Sequence, residues 1–520
     1  MKNNSTSQNQ YNSLPKGWIW TILEEIANIN PKFKGDSLDD DMDVSFLPMK
    51  AVEERTGKID LSRIKKISEV KKGYTPFRNS DILFAKITPC MENGKVAIVN
   101  NLKNGIGFGS TEFHVVRISD TIDKRLLFFF LLQDDYRKTA QRSMTGSAGQ
   151  LRVPAYFIKK TLFPLPPLPE QHRIVVKIEE LFTRLDAGVE ALKKIKVQLK
   201  RYRQAVLKYA FEGKLTEEWR EKHKGEIEPA GVLLERIRQE TSLQGAERRS
   251  KLKRSKDEIA SPLARNDSLP ELLEGWVWTK VGMISEMIQY GTSEKANEGS
   301  QGIPVLRMGN IQDGKLIFEY LKYFPKSWSQ LYDFLLKDGD VLFNRTNSAE
   351  LVGKTAVYKN YHRPAVFASY LIRVKVNKNA YAPDLLAFYI NSFYGRKYIA
   401  SVVSQQVGQA NVNGTKLSLM LIPLPPLPEQ NKIVEEIERR FSVADEVEKT
   451  VDQSLKQAER LRQSILKKAF EGKLVPQDPS DEPAEKLLER IKAEKAKLSD
   501  EYKIKSKRRK SYEQKTSGMV

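Results

Sequence analysis

The chain has 520 residues, 40% of them hydrophobic and 29% charged, a mixture that suits two to four folded, soluble domains. No apolar run approaches the ~18 residues of a membrane span, and the only cysteine, Cys90, excludes an internal disulfide and any multi-cysteine metal site. Lys and Arg outnumber Asp and Glu by 87 to 66, a formal balance of +21. A basic chain attracts polyanions, most commonly nucleic acid.

The first residues, MKNNSTSQNQYNS, are polar and lack the apolar core of a secretory signal, so a cytoplasmic protein is expected. LPKGWIW (Leu14–Trp20) opens a first globule over Gly17–Phe163. Its ILFAKI and KVAIV stretches read as strands and KRLLFFFLLQDDYRKTA (Lys124–Ala140) as amphipathic helix. Two polar loops lie between, KITPCMENG (Lys86–Gly94) and RSMTGSAGQLR (Arg142–Arg152).

PLPPLPEQ, from Pro164, is extended because proline disfavours helix before it and lacks an N–H. Glu170 and Gln171 then open a helix, acidic residues being favoured in a first turn. Ile178, Leu185, Leu192, Leu199 and Val206 form a heptad row, with Ile174, Leu181, Ile195, Tyr202 and Tyr209 as companions, broken at Gly188. Over ~40 residues such a helix is ~60 Å long and cannot bury its stripe alone. Lys193, Lys194, Lys196 and Lys200 read as its solvated face. The helix closes at AFEGKL, where Gly213 suits a C-terminal cap. A short LLERI helix (Leu233–Ile237) and a flexible basic linker, Glu247–Glu258, follow.

The pattern then begins again. LPELLEGWVW (Leu269–Trp278) opens a second globule over Gly275–Ile422, with strands at VLFNRT and KTAVY and a helical stretch at Pro383–Ala400. Its polar loops are NRTNSAELVG (Asn344–Gly353) and SQQVGQANVNG (Ser404–Gly414). PLPPLPEQ recurs at Pro423, and its helix carries Ile433, Ile437, Val447, Val451, Leu461 and Ile465. That stripe is weaker, with Ala444, Ser454 and Ala458 small and Arg440 and Lys468 charged. AFEGKL with Gly472, a second LLERI (Leu487–Ile491) and a basic tail, Lys503–Lys510, end the chain.

Pro164 and Pro423, Phe211 and Phe470, Asp81 and Asp340, and Leu47 and Leu306 are each 259 positions apart. One unit is therefore written twice, running from the Gly-Trp pair to the end of the long helix. Roughly half the positions from Pro164 to Leu215 recur unchanged, whereas the two globules diverge. The expected fold is mixed α/β (α+β), with an internal pseudo-twofold. The segments are 1–163, 164–213, 214–268, 269–422, 423–472 and 473–520: globule, helix, linker, globule, helix, tail. The partner for each long helix is either the other copy, in an antiparallel coiled coil, or its own globule.

Asn, Gln, Arg and Lys are the side chains that read base edges, and Gly and Ser let backbone approach phosphate, although the same residues also make ordinary turns. The candidate contacts are Lys86, Arg142, Gln150 and Arg152 in the first globule. In the second they are Arg307, Asn344, Arg345, Asn347, Gln405, Gln406, Asn411 and Asn413. No catalytic chemistry is visible. VGKT (Val352–Thr355) lacks the first glycine of a phosphate-binding loop, position 348 being Ser348, and GIGFG (Gly105–Gly109) has the wrong spacing for a dinucleotide fingerprint. Asp134-Asp135 reads as a solvated face. The histidines His114, His172, His223 and His362 are scattered, and no metal site is expected.

The combination of LPKGW and LPELLEGW, GDVLFNRTNSAELVGKTAVY (Gly339–Tyr358), GQANVNGTKLSLMLIPLPPLPEQ (Gly408–Gln430), RQAVLKYAFEGKLTEEWR and RQSILKKAFEGKL resembles the DNA-specificity subunit of Type I restriction–modification enzymes, over nearly the whole chain. The resemblance implies two target-recognition domains held apart by an antiparallel helix pair. Each domain would read one half of an asymmetric, bipartite site in double-stranded DNA, and the helices would fix the spacer. It implies two modification (methyltransferase) subunits and two restriction (endonuclease/translocase) subunits as partners. No cofactor would sit on this chain; S-adenosylmethionine, ATP and Mg belong to the partners. Two other classes stand beside it: a coiled-coil scaffold that binds partner proteins, its basic charge incidental and its DNA binding weak and without sequence preference, and a single-chain enzyme that recognises DNA and also methylates or cuts it.

Overall fold

In the computed structural model each PLPPLPEQ leaves a strand and enters a helix of 44 residues, Leu168–Phe211 and Leu427–Phe470. The structure describes residues 13–32, 38–147, 149–248, 271–297, 302–359, 364–406 and 409–497. His362, most of the basic linker and the basic tail lie outside them.

The chain packs as two units, residues 1–192 with 453–520, and residues 193–452. The copy seen in the sequence and the compact unit therefore differ. Each unit combines one globule with the first part of one long helix and the last part of the other.

Within the first unit, strands Ala27–Ile29, Phe113–Ile118, Ile82–Ala85 and Val96–Ile98 form an antiparallel sheet. A second sheet contains the parallel pair Asp43–Leu47 and Ile106–Gly109. GIGFG is the second of these strands. A Cβ on Gly107 would lie 2.2 Å from Phe77, and one on Gly109 would lie 2.5 Å from the Leu47 carbonyl, so these glycines serve close strand packing.

The unit holding the second globule repeats this plan with Ser285–Tyr290, Leu371–Val376, Asp340–Asn344 and Thr355–Tyr358, and with the parallel pair Ile303–Leu306 and Val366–Phe367. VGKT ends the turn between Asp340–Asn344 and Thr355–Tyr358. No helix follows it, so it is not a phosphate-binding loop. The repeated aspartates are structural. Asp81 accepts from the backbone of Arg78 (2.8 Å) and from Arg117 (2.7 and 2.8 Å). Asp340 accepts from the backbone of Lys337 (2.8 Å) and from Arg373 (3.4 Å).

The octapeptide couples each globule to its helix. Pro164 and Pro423 sit in strands paired with Ile19–Ile22 and Val277–Lys280. Glu170 and Glu429 are buried and accept the indole N–H of Trp18 (2.9 Å) and Trp276 (2.8 Å). Gln171 accepts from the Asp123 backbone (3.1 Å) and donates to the Pro166 carbonyl (2.9 Å). Gln430 likewise bonds Ala382 (2.9 Å) and Pro425 (2.9 Å). Two buried polar side chains with paired hydrogen bonds explain why EQ recurs. Removing either would strand a buried donor. These residues grip the globule, beyond complementing the helix dipole as expected.

The long helices pair antiparallel in both units. In one, Lys196 reaches Asp452 (2.7 Å), and seven residues on, Arg203 reaches Asp445, seven residues back (2.8 Å). In the other, Arg462 pairs with Asp186 and lies 4.3 Å over the Phe182 ring. Lys196 is thus a pairing residue rather than part of a solvated face. On the second helix Ile437, Ala444, Val451 and Ile465 are buried in the heptad row, whereas Val447 and Leu461 are exposed. Of the alanines that make this stripe look weak, Ala444 is buried and Ala458 is half-buried. On the first helix Val206, Leu207, Ala210 and Phe211 are buried, and Tyr202 and Tyr209 face outward. Each fully buried aliphatic residue contributes about 1.5–3 kcal/mol.

Gly213 and Gly472 have φ of +68° and +66° and end the helices. The LLERI segments then fold back. Ala230 donates to the Gly275 carbonyl and Ala484 to that of Gly17, both at 2.9 Å, so each docks on the Gly-Trp turn of its unit.

Two helical stretches differ from expectation. Lys124–Ala140 is broken at Leu132-Gln133 into Lys124–Leu131 and Asp134–Arg142, and Leu126–Leu132 are buried throughout, making a core helix rather than an amphipathic one. Pro383–Ala400 breaks at Ser392, whose hydroxyl caps the second helix. Asp134 is not simply solvated: it pairs with Arg137, and its backbone N–H donates to Gln463 at 2.8 Å.

Candidate nucleic-acid interface

In the unit holding the second globule, the buried strand Asp340–Asn344 delivers Arg345 at its exit. Both backbone groups of Arg345 are pinned: its N–H donates to Tyr370 and its carbonyl accepts from Val412, each at 2.9 Å. Its guanidinium lies 4.8 Å from the Tyr290 ring centroid, a cation–π contact. It donates over long distances, 3.4 Å each, to the Ser369 carbonyl and Asn411 Oδ1. Its Nε is buried without a partner.

The loop beyond forms a small three-stranded sheet of Thr346–Asn347, Gln409–Asn411 and Ser404–Gln406. Asn413 then caps a short helix by accepting from Lys416 N–H (2.8 Å), and Lys416 Nζ donates to Ser404 Oγ (2.6 Å). Between these elements an open groove of about 580 Å³ is lined by Arg345, Thr346, Ser404, Gln409, Asn411 and Lys416, with Asn413 at its side. Among the described residues its wall holds two cations and several amide or hydroxyl groups and no carboxylate. Such a surface can take a phosphate backbone and present donors and acceptors to base edges.

Of the expected contacts, Arg345, Asn411 and Asn413 come together here. Gln405 and Gln406 lie on the same small sheet, with side chains outside the described residues. Asn347 pairs with Ala410 and accepts from Ser348 N–H (2.8 Å). Asn344 is a correction. It is wholly buried, its carboxamide 3.4 Å from the Leu351 carbonyl, and it cannot reach a ligand on the surface. Arg307 lies away from the groove lining, at the end of strand Ile303–Leu306, donating to the Tyr320 carbonyl (2.6 Å). Tyr290, Ser404, Gln409 and Lys416 escaped the sequence reading. Tyr290 ends a strand and no motif marks it.

In the first unit the same framework carries other side chains. Lys86 is 259 positions before Arg345, and its backbone makes the equivalent bonds, to the Glu112 carbonyl (2.9 Å) and from Val153 N–H (2.8 Å). Arg152, 259 before Asn411, is held by Glu112 through two 2.9 Å bonds. The Arg152 hydrogen bonds keep the Glu112 carboxyl below its ordinary range. His114, buried beneath, bonds the Val153 carbonyl (2.8 Å) and Asn30, and burial pushes its pKa down. Gln150 and Arg142 are exposed. Among the described residues, isolated bridges at Ile87–Arg152 and Thr145–Arg152 stand where the other unit has its small sheet.

Residues 15–201 and 274–457 match the Type I restriction modification DNA specificity domain. The chain belongs to that family. This specificity chain is 30% identical to the Type I restriction enzyme EcoAI specificity subunit of Escherichia coli, over 84% of the chain and 79% of the relative. It is 28% identical to the EcoKI specificity subunit of Escherichia coli strain K12, over 93% and 96%. A solved chain described under complex assembly and conformational transition of the type I R-M system superposes with a TM-score of 0.65 at 21% identity, covering 89% of this chain and 100% of that one. The HsdS subunit from Thermoanaerobacter tengcongensis gives 0.50 at 20%, covering 90% and 100%. At these identities the structures speak for the fold, two globules with long helices. As a specificity subunit, the chain contributes DNA sequence recognition, is itself non-catalytic and directs partner enzyme subunits. Among the described residues no cluster of His, Cys, Asp or Glu suits a metal ion, and no helix is long and apolar enough to cross a membrane.

Proposed function

We propose that the chain reads an asymmetric, bipartite site in double-stranded DNA, one half with each globule, residues 1–163 and 269–422. The observation that carries this reading is the pair of unlike surfaces on one framework: Lys86 and Arg152 in one unit, Arg345 and Asn411 in the other, on matching backbone bonds. Equal frames with unequal side chains suit two different half-sites. Lys86, Arg142, Gln150 and Arg152 are assigned to one half. Arg307, Arg345, Asn347, Gln405, Gln406, Asn411 and Asn413 are assigned to the other. Arg152 must exchange Glu112 for a base or phosphate.

The paired helices, 164–213 and 423–472, serve as the spacer gauge and as the docking surface for two modification subunits, which two restriction subunits join. S-adenosylmethionine, ATP and Mg then act on those partners. The excess of 21 positive charges supplies salt-dependent, sequence-independent affinity. The test is a map of methylated adenines in the host genome, with and without this gene. One split, non-palindromic motif that vanishes with the gene is the expected result. A palindromic motif, or no change, contradicts the reading.

A further inference from the structure

Framework residues recur in both copies: Asp81 and Asp340, Glu170 and Glu429, Gln171 and Gln430. Tyr290 does not. The position 259 earlier is Pro31. A residue that the shared frame does without, placed at the one groove built around Arg345, calls for a local reason.

Tyr290 is 42% exposed, a poor investment for core packing. Its ring lies under the Arg345 guanidinium at 4.8 Å, and its hydroxyl accepts from Gly414 N–H at 2.7 Å. One side chain therefore ties the arginine to the loop that supplies Asn411, Asn413 and Lys416. The other contacts of the guanidinium are long and leave its terminal N–H groups weakly engaged. A cation held over a ring face keeps its two terminal nitrogens free to donate at the outer edge, while Nε stays buried. That is the geometry in which arginine presents two parallel N–H groups, and the base edge that offers two acceptors to such a fork in the major groove is guanine O6 and N7.

We propose that Tyr290 is a positioning residue that holds Arg345 for paired hydrogen bonding to a guanine in the half-site read by the second globule. This rests on the proposed DNA-reading role of the groove. Stacking restricts the guanidinium before DNA arrives, so the ordering cost at binding falls and the wrong base is penalised by unpaired donors.

The test uses the full chain co-expressed with its modification subunits, and selection for binding from a duplex library randomised across the recognition site. Wild type is expected to select guanine at one position of one half-site. Arg345→Ala relaxes that position. Tyr290→Leu relaxes the same position on the order of tenfold, while base preference in the other half-site is retained. Tyr290→Phe, which keeps the ring, retains most of the preference. Thermal unfolding of each variant guards against a folding defect. If Arg345→Ala relaxes a position that Tyr290→Leu leaves intact, the positioning role is wrong and the groove remains the reader. If Tyr290→Leu weakens all sequences equally, its role is structural and the proposal fails. If Arg345→Ala leaves every base preference unchanged, the DNA-reading role of the groove falls as well.

Discussion

Trp18 donates its indole N–H to Glu170 Oε2 at 2.9 Å, and the other carboxylate oxygen, Oε1, is buried without a partner. The repeat explains why. The equivalent Glu429 also accepts from Thr216 (2.8 Å) and Arg220 (3.0 Å). At the positions 259 further on, Val475 and Pro479 replace Thr216 and Arg220. The same glutamate is satisfied in one unit and half-orphaned in the other.

Burial, only partly opposed by the Trp18 bond, raises the pKa of Glu170 above its ordinary value. A raised folded-state pKa means the folded chain binds this proton more tightly than the unfolded one. The associated stability is present below the unfolded value near 4.5 and is lost as pH rises through the folded value. Glu170→Gln is therefore expected to stabilise the first unit at neutral pH and to flatten the fall in its stability between the unfolded and folded values. Glu429→Gln is expected to cost the other unit about 2 kcal/mol, because Arg220 loses its carboxylate. Denaturant unfolding across a pH series checks both; a stabilising Glu429→Gln contradicts the account.

Gly213→Ala and Gly472→Ala are each expected to cost at least about 1–3 kcal/mol. Both glycines have positive φ, and an added Cβ would lie 1.8 Å from Leu273 Cδ1 or 2.2 Å from Pro15 Cγ. The losses should separate, with Gly472→Ala lowering the unfolding transition of the first unit and Gly213→Ala that of the second. Proteolysis followed by mass spectrometry identifies which unit opens. Identical effects on both transitions contradict the division into units.

Arg203 contacts Asp445 and Glu448, each at 2.8 Å. Reversing it with Arg203→Glu is expected to destabilise by about 1–2 kcal/mol, and adding Asp445→Arg should recover about half. No coupling in this double-mutant cycle would argue against the antiparallel register.

The framework was legible where one residue type answers one physical need. Glycine at positive φ ended both helices, and the repeat step paired Asp81 with Asp340, which accept from equivalent backbone groups. Periodicity located the apolar rows but did not say which neighbouring row meets the partner helix. Tyr202, Tyr209, Val447 and Leu461 were placed inward and lie outward, while Ala444 lies inside. Composition marked the loop around Asn344 as polar, yet that side chain ends a central strand and is buried. Tyr290 was invisible because its meaning comes from two residues, Arg345 and Gly414, more than fifty positions away.

The most direct test of two unlike heads on one frame compares Lys86→Ala with Arg345→Ala in the assembled methyltransferase, reading base preference at every position of the target. Each substitution is expected to lose about 1–3 kcal/mol of discrimination in one half-site only, and the two affected halves should be different. If both variants relax the same half, or both weaken all sequences alike, the two globules do not divide the site between them.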